Sequence, residues 1–152
     1  MNDDSSYPVA FEHHYLVEPL YLEFRDYGCL GDSHRLLWDP DSQTLQLIRN
    51  EFGEPEARTL TTPTRAQWKA FWILLEKAQA WHWPEEFPDE IGIIDGGGWS
   101  LGVSYAGRRI KSGGVNAYPD ARGTDYLPGS QFDVLCTAIL MLTNGEFPGL
   151  ID

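Results

Sequence analysis

Cysteine is scarce in this chain, basic residues are few, and apolar runs are short. The two cysteines, Cys29 and Cys136, stand far apart in unlike surroundings. A disulfide framework needs several at regular spacing, so both are expected as buried thiols in a reducing compartment. Histidine is thin as well. His13 and His14 are adjacent, which on a strand sends them to opposite faces, and His34 and His82 are isolated. Neither pattern has ligand spacing, so no metal and no cofactor is expected. No stretch reaches the ~18 apolar residues of a membrane span, and "MNDDSSYPVA" lacks the basic and apolar regions of a secretory signal. The cytoplasm is the expected location.

The usual devices of catalysis are missing too. "DGGGW" is rich in glycine but has no strand–G-x-G-x-x-G–helix context, and neither a phosphate-binding G-x-x-x-x-G-K-[ST] nor a G-x-S-x-G nucleophile elbow occurs. Carboxylates are plentiful, but glycosidase-type chemistry depends on the distance between two of them, and no spacing singles out a pair. The expectation is a protein that is not an enzyme.

The shortage of positive charge is the strongest global feature. Eleven lysines and arginines face 23 aspartates and glutamates, a net charge of −12. Such a surface repels phosphate backbones and anionic lipid, which argues against nucleic acid and membranes as partners. It attracts a basic protein and speeds its capture.

What is present suits one folded domain. The 152 residues are 42% apolar and include six tryptophans, enough for a core without staples. Residues 1–7 read as a disordered tail ahead of a single domain over 8–152. Val9–Val17 and Leu20–Phe24 read as strands parted by Pro19, and Asp26–Ser33 as a turn. Leu36–Trp38 and Leu45–Ile48 flank "DPDS", a hairpin signal, and "EARTLT" adds a short strand. Thr64 stands three residues before Gln67, as in a capping box, and opens a helix. Its apolar stripe is Trp68, Phe71, Trp72, Leu75 and Ala78, with Pro84 as the expected stop. "EIGIID", "WSLGVSY" and "RRIKSGG" are further strands. In the second, Trp99, Leu101, Val103 and Tyr105 share one face, and Ser100, Gly102 and Ser104 the other. A last helix, capped by Ser130, carries Phe132, Leu135, Cys136, Ile139 and Leu142 and ends at Asn144-Gly145. The pattern predicts an α+β domain, a mostly antiparallel sheet with two helices packed on one face.

Two segments stand out. "DGGGWSLGVSYAGRRIKSGGVNAYPD", Asp95 to Asp120, reads as a hairpin with a structured exit: Asp95 caps its turn, Asn116 holds a bend, and Tyr118 packs before Pro119. The pattern from "DGGGWSL" to "SGGVNAYP" resembles a motif recurring in small bacterial proteins of uncharacterised function, several of them tied to toxin–immunity or defence contexts. The resemblance covers about a quarter of the chain and implies a shared fold element more than an activity, with no residue assignments. The residues themselves leave two readings open: a structural corner, or a contact surface using Arg108, Arg109, Lys111, Asn116 and Tyr118. The second segment, "WHWPEEFPDE", sets Glu85, Glu86, Asp89 and Glu90 among Trp83 and Phe87. Aromatics ringed by charge have the composition of a protein-binding hot spot, and the bland alternative is a solvated loop.

Together these features favour an acidic module that neutralises a basic toxin domain by covering its active site. One alternative is a small-molecule domain or enzyme with a pocket between sheet and helices, using His13 or His14, Tyr118 and Arg109. Another is an adaptor within a larger bacterial assembly.

Overall fold

Alternation of apolar and polar residues dictates the sheet. Leu22 and Phe24, Leu36 and Trp38, Leu45 and Leu47, and Trp99, Leu101 and Val103 are all buried, while their neighbours in sequence, Gly98 apart, are more exposed. The computed structural model describes residues 17–27, 33–51, 53–88, 97–119 and 130–148. Among them are strands β1 (Tyr21–Tyr27), β2 (Ser33–Asp39), β3 (Thr44–Glu51), β4 (Glu54–Thr59), β5 (Gly98–Tyr105) and β6 (Arg108–Val115). Two helices, α1 (Arg65–Lys77) and α2 (Ser130–Leu142), and a 3₁₀ turn over Ala80–His82 complete the described elements. The strands form one antiparallel sheet in the order β4-β3-β2-β1-β5-β6. This is the expected α+β architecture.

One face of the sheet receives both helices. Trp68, Phe71, Trp72 and Leu75 of α1 join Phe132, Leu135, Ile139 and Leu142 of α2 over the apolar strand residues in a continuous core. Trp68 and Trp99 are fully buried. Removing one indole, roughly 150–250 Å², from water contributes about 4–6 kcal/mol before chain entropy is subtracted. The helices are also tied to each other through the cap of α1. Thr64 N donates to Gln67 Oε1 at 2.9 Å and Gln67 N to Thr64 Oγ1 at 3.1 Å, while Gln67 Nε2 donates to the Met141 carbonyl at 3.0 Å. The capping box therefore anchors the start of one helix to the end of the other.

The two sheet edges differ. Leu60 N bonds Leu45 O, so Pro55, Ala57 and Thr59 turn their backbones away from β3. Proline at an outward position costs no ladder bond and blunts the β4 edge. At the other edge, Phe87 forms a parallel bridge with Gly114, its N–H donating to Gly113 O at 2.8 Å. Residues 84–87 thus lie along β6 from Lys111 to Gly114, and the 3₁₀ turn packs against the same strand.

Several boundaries differ from expectation. β1 runs to Tyr27, so Asp26 and Tyr27 belong to a strand and not to the following turn, and Leu20 precedes it, exposed. α1 stops at Lys77, well before Pro84. Gln79 adopts φ 59°, and its N–H reaches Glu76 O three residues back, which breaks the α-helical ladder. The "WHW" segment becomes the 3₁₀ turn and its exit instead of a helix end. The expected tail 1–7, the strand Val9–Val17 apart from Val17, Cys29, "EIGIID" and the loop after Pro119 lie outside the described residues. No described helix is long and apolar enough to cross a membrane.

Candidate functional site

The corner after β6 is built before anything can bind to it. Trp99 Nε1 donates to the Ala117 carbonyl at 2.8 Å, and Ser112 Oγ to the Pro84 carbonyl at 2.6 Å. Gly114 lies against Ala117 so closely that a Cβ would overlap the carbonyl oxygen. Asn116 takes φ 56° and donates its N–H to Gly97 O at 2.9 Å. Tyr118 meets Phe132 edge-on at 4.8 Å, and burial raises its phenol above the ordinary range. Asn116 and Tyr118 therefore do structural work at this corner, while Asp95 lies outside the described residues.

Strand parity then divides the three cations. Arg108 is half-buried, pairs with Glu76 at 2.5 Å and lies over the Trp81 ring at 4.1 Å. Arg109 and Lys111 emerge on the opposite face, which no described helix covers. The acidic segment divides in the same way. Trp83 donates to Gln131 Oε1 at 2.9 Å and packs on Trp99 at 5.7 Å, and Phe87 lies 6.0 Å from Trp99. These rings back the core. Glu85 and Glu86 are exposed, and Lys111 Nζ lies 3.5 Å from Glu85 Oε2. Asp89, Glu90, His13 and His14 lie outside the described residues.

Glu85, Glu86, Arg109 and Lys111, drawn from two segments some 25 residues apart, thus rim one shallow concavity of about 800 Å³. Its floor is Ser100, Gly102, Ser104 and Gly113, and its far wall is Tyr21, Glu23 and Tyr27 of β1. Cross-strand register explains the shape. Glu23 faces Gly102, which faces Lys111, and Tyr27 faces Gly98. The glycines leave room for the tyrosine rings: a Cβ on Gly98 would strike Tyr27, and one on Gly102 would strike Tyr21. The rings lie across neighbouring glycines, a pairing that protects bare backbone on a sheet surface.

The β1 wall is held by charge. Glu23 accepts from the Tyr21 hydroxyl and from Arg35, with Arg25 at 3.9 Å. Burial pushes the Glu23 carboxyl up, but the hydrogen bonds from Tyr21 and Arg35 and the two guanidiniums outweigh it and hold the group below its usual range. Burial and the bond to Glu23 push the Tyr21 phenol up to about 12. Between the lowered Glu23 value and the raised Tyr21 value, the hydroxyl donates and the carboxylate accepts.

On the helix side, Cys136 is a free, buried thiol pushed up to about 12 by burial. It stays protonated at neutral pH and is no ready nucleophile. Sequence reasoning saw the small residues of β5 on one face and each charged segment separately. It missed the tyrosine wall and the convergence, because the β1–β5 pairing joins residues about 80 positions apart.

No protein-family model matches the chain, and comparison with curated proteins finds no match.

Proposed function

We propose that this chain works by docking, with the open face of its sheet covering a basic protein partner. In a toxin–immunity setting, which small size and strong acidity favour, the partner is a toxin domain and the outcome is occlusion of its active site. The observation that carries the reading is the concavity. Two segments of opposite charge and a tyrosine wall surround a floor of small side chains, on a face free of described helices. Such a surface takes the protruding part of a partner without rearrangement, and its carboxylates and cations fix orientation. The net charge of −12 adds long-range attraction for a basic body. Trp83 and Phe87 support the core, so the exposed contacts fall to Tyr21 and Val115 at the rim.

The test fills the floor. Ser100→Trp and Ser104→Trp place bulk on the solvent side of β5, away from the core, so both variants fold with little change in Tm. They lose protection against, and capture of, the basic toxin domain that the parent chain neutralises, whereas Ile73→Arg on the exposed side of α1 keeps both. Equal protection by the floor variants defeats the reading.

The volume favours one other reading, since about 800 Å³ lies within the range of small-molecule sites, ~300–1,000 Å³. A metabolite-dependent rise in Tm, abolished by Ser100→Trp and seen without any protein partner, supports that alternative instead.

A further inference from the structure

The β6 edge carries a feature that the docking face alone does not use. Asn116 N bonds Gly97 O, and Gly113 O accepts from Phe87 on the other side. Both bonds fix the alternation: Ile110, Ser112 and Gly114 turn their backbones toward β5, and Arg109, Lys111 and Gly113 turn theirs outward. Phe87 occupies Gly113. Among the described residues, nothing pairs with the outward N–H and C=O groups of Arg109 and Lys111. At Gly113 the edge already accepts an added segment, and among the described residues no backbone hydrogen-bond partner stands beside Arg109 and Lys111.

We infer that an extended segment of the partner adds as a strand beside Arg109–Lys111, with carboxylates at two alternate positions. The inference rests on the docking reading for the source of the segment, and on the edge itself for its chemistry. Side chains opposite Arg109 and Lys111 in an added strand lie on the open face beside those two cations, where opposite charges pair favourably. The residue between them shares the side of Ile110, which is buried, so an apolar residue fits there. Acid–apolar–acid in an extended conformation is therefore the recognised pattern. Lys111 is available for it, because its bridge to Glu85 spans 3.5 Å between side chains more than two-thirds exposed, and such bridges are weak. A second copy of this chain does not fit. Pairing β6 with β6 sets cations against cations, and the β4 edge presents Pro55, which has no N–H. The net charge draws in a basic body, and this edge then takes a short acidic stretch of it.

The experiment uses the full chain and two labelled peptides, one alternating glutamate and valine, the other lysine and valine. Fluorescence anisotropy reads affinity, and amide hydrogen exchange reads the edge. The glutamate peptide binds at least about tenfold tighter than the lysine peptide, and the amides of Arg109 and Lys111 exchange more slowly when it is bound. Lys111→Pro removes an outward N–H while sparing the ladder to β5, and weakens binding at least about tenfold. The double variant R109E/K111E reverses the peptide preference, which decides the matter if the proline variant does not fold. No binding at about 1 mM peptide, no preference between peptides, or unchanged exchange at Arg109 and Lys111 overturns the inference. Because the peptides need no toxin, this failure is separate from failure of the docking reading, which the floor variants decide.

Discussion

Trp99 and Ala117 are locked together from both sides. The Trp99 indole donates to the Ala117 carbonyl at 2.8 Å, and Gly114 lies so close to that carbonyl that only hydrogen fits at its Cα. One buried bond therefore joins the core face of β5 to the chain leaving β6. Gly114→Ala must push the corner away, an overpacking that costs about 1–3 kcal/mol. Trp99→Phe leaves the carbonyl without its donor and costs about 1–3 kcal/mol for the orphaned group alone. Urea unfolding checks both: the midpoint falls while the slope stays constant. A Gly114→Ala variant as stable as the parent refutes the close approach.

This corner shows what a reader of the sequence can and cannot see. Asn116 before Ala-Tyr-Pro signals a bend, because asparagine tolerates left-handed φ, and the alternation of Trp99, Leu101 and Val103 with Ser100, Gly102 and Ser104 declares two faces. Thr64 and Gln67 likewise announce the start of α1. These signals are local. Gln79 gives no such warning: glutamine is an ordinary helix former, and its left-handed turn follows from packing Trp81 and Trp83 back against the core. Nor does "RRIK" reveal that Arg108 belongs to Glu76 and Trp81 while Arg109 and Lys111 face solvent, since parity depends on where the hairpin turns. The candidate site was legible as fragments only, because its assembly is set by β1 pairing with β5.

Tyr118 and Lys111 separate structure from contact within one motif. The Tyr118 ring packs edge-on against Phe132, so Tyr118→Ala opens a gap beside α2 and costs about 2–4 kcal/mol. Lys111 is exposed in a loose bridge, so Lys111→Ala changes stability by less than about 0.5 kcal/mol. Thermal unfolding of the two variants reads the difference. Equal losses contradict this division of roles between Tyr118 and Lys111.

Ala106 is a misfit whose repair should be visible. It and Gly107 form the two-residue turn between β5 and β6, with φ of 51° and 78°. Positive φ at both positions marks the turn that favours Asn-Gly, and alanine there is strained by its Cβ. Ala106→Asn is expected to add about 0.5–1 kcal/mol, raising the urea midpoint without altering the slope. A lower midpoint disproves the strain.

Asp26 supplies a pH test with a definite sign. It lies opposite His34 in the β1–β2 pairing, at the end of the sheet where Tyr118 and Cys136 also sit near enough to feel its charge. Burial raises the carboxyl above its ordinary value of 3.8, and the nearby His34 offsets only part of that. A raised pKa in the folded state means that the protonated form is favoured by folding. Its contribution is complete below the unfolded value and is lost as pH rises through the folded value. At neutral pH the buried carboxylate therefore weakens the fold. Asp26→Asn keeps the shape and removes the charge, so the variant unfolds at a higher temperature than the parent near pH 7. The advantage shrinks as pH falls through the raised value toward 3.8, where the parent carboxyl becomes neutral as well. Paired melting curves from pH 4 to pH 8 measure this directly, and a constant or growing advantage toward low pH contradicts burial as the dominant influence on Asp26.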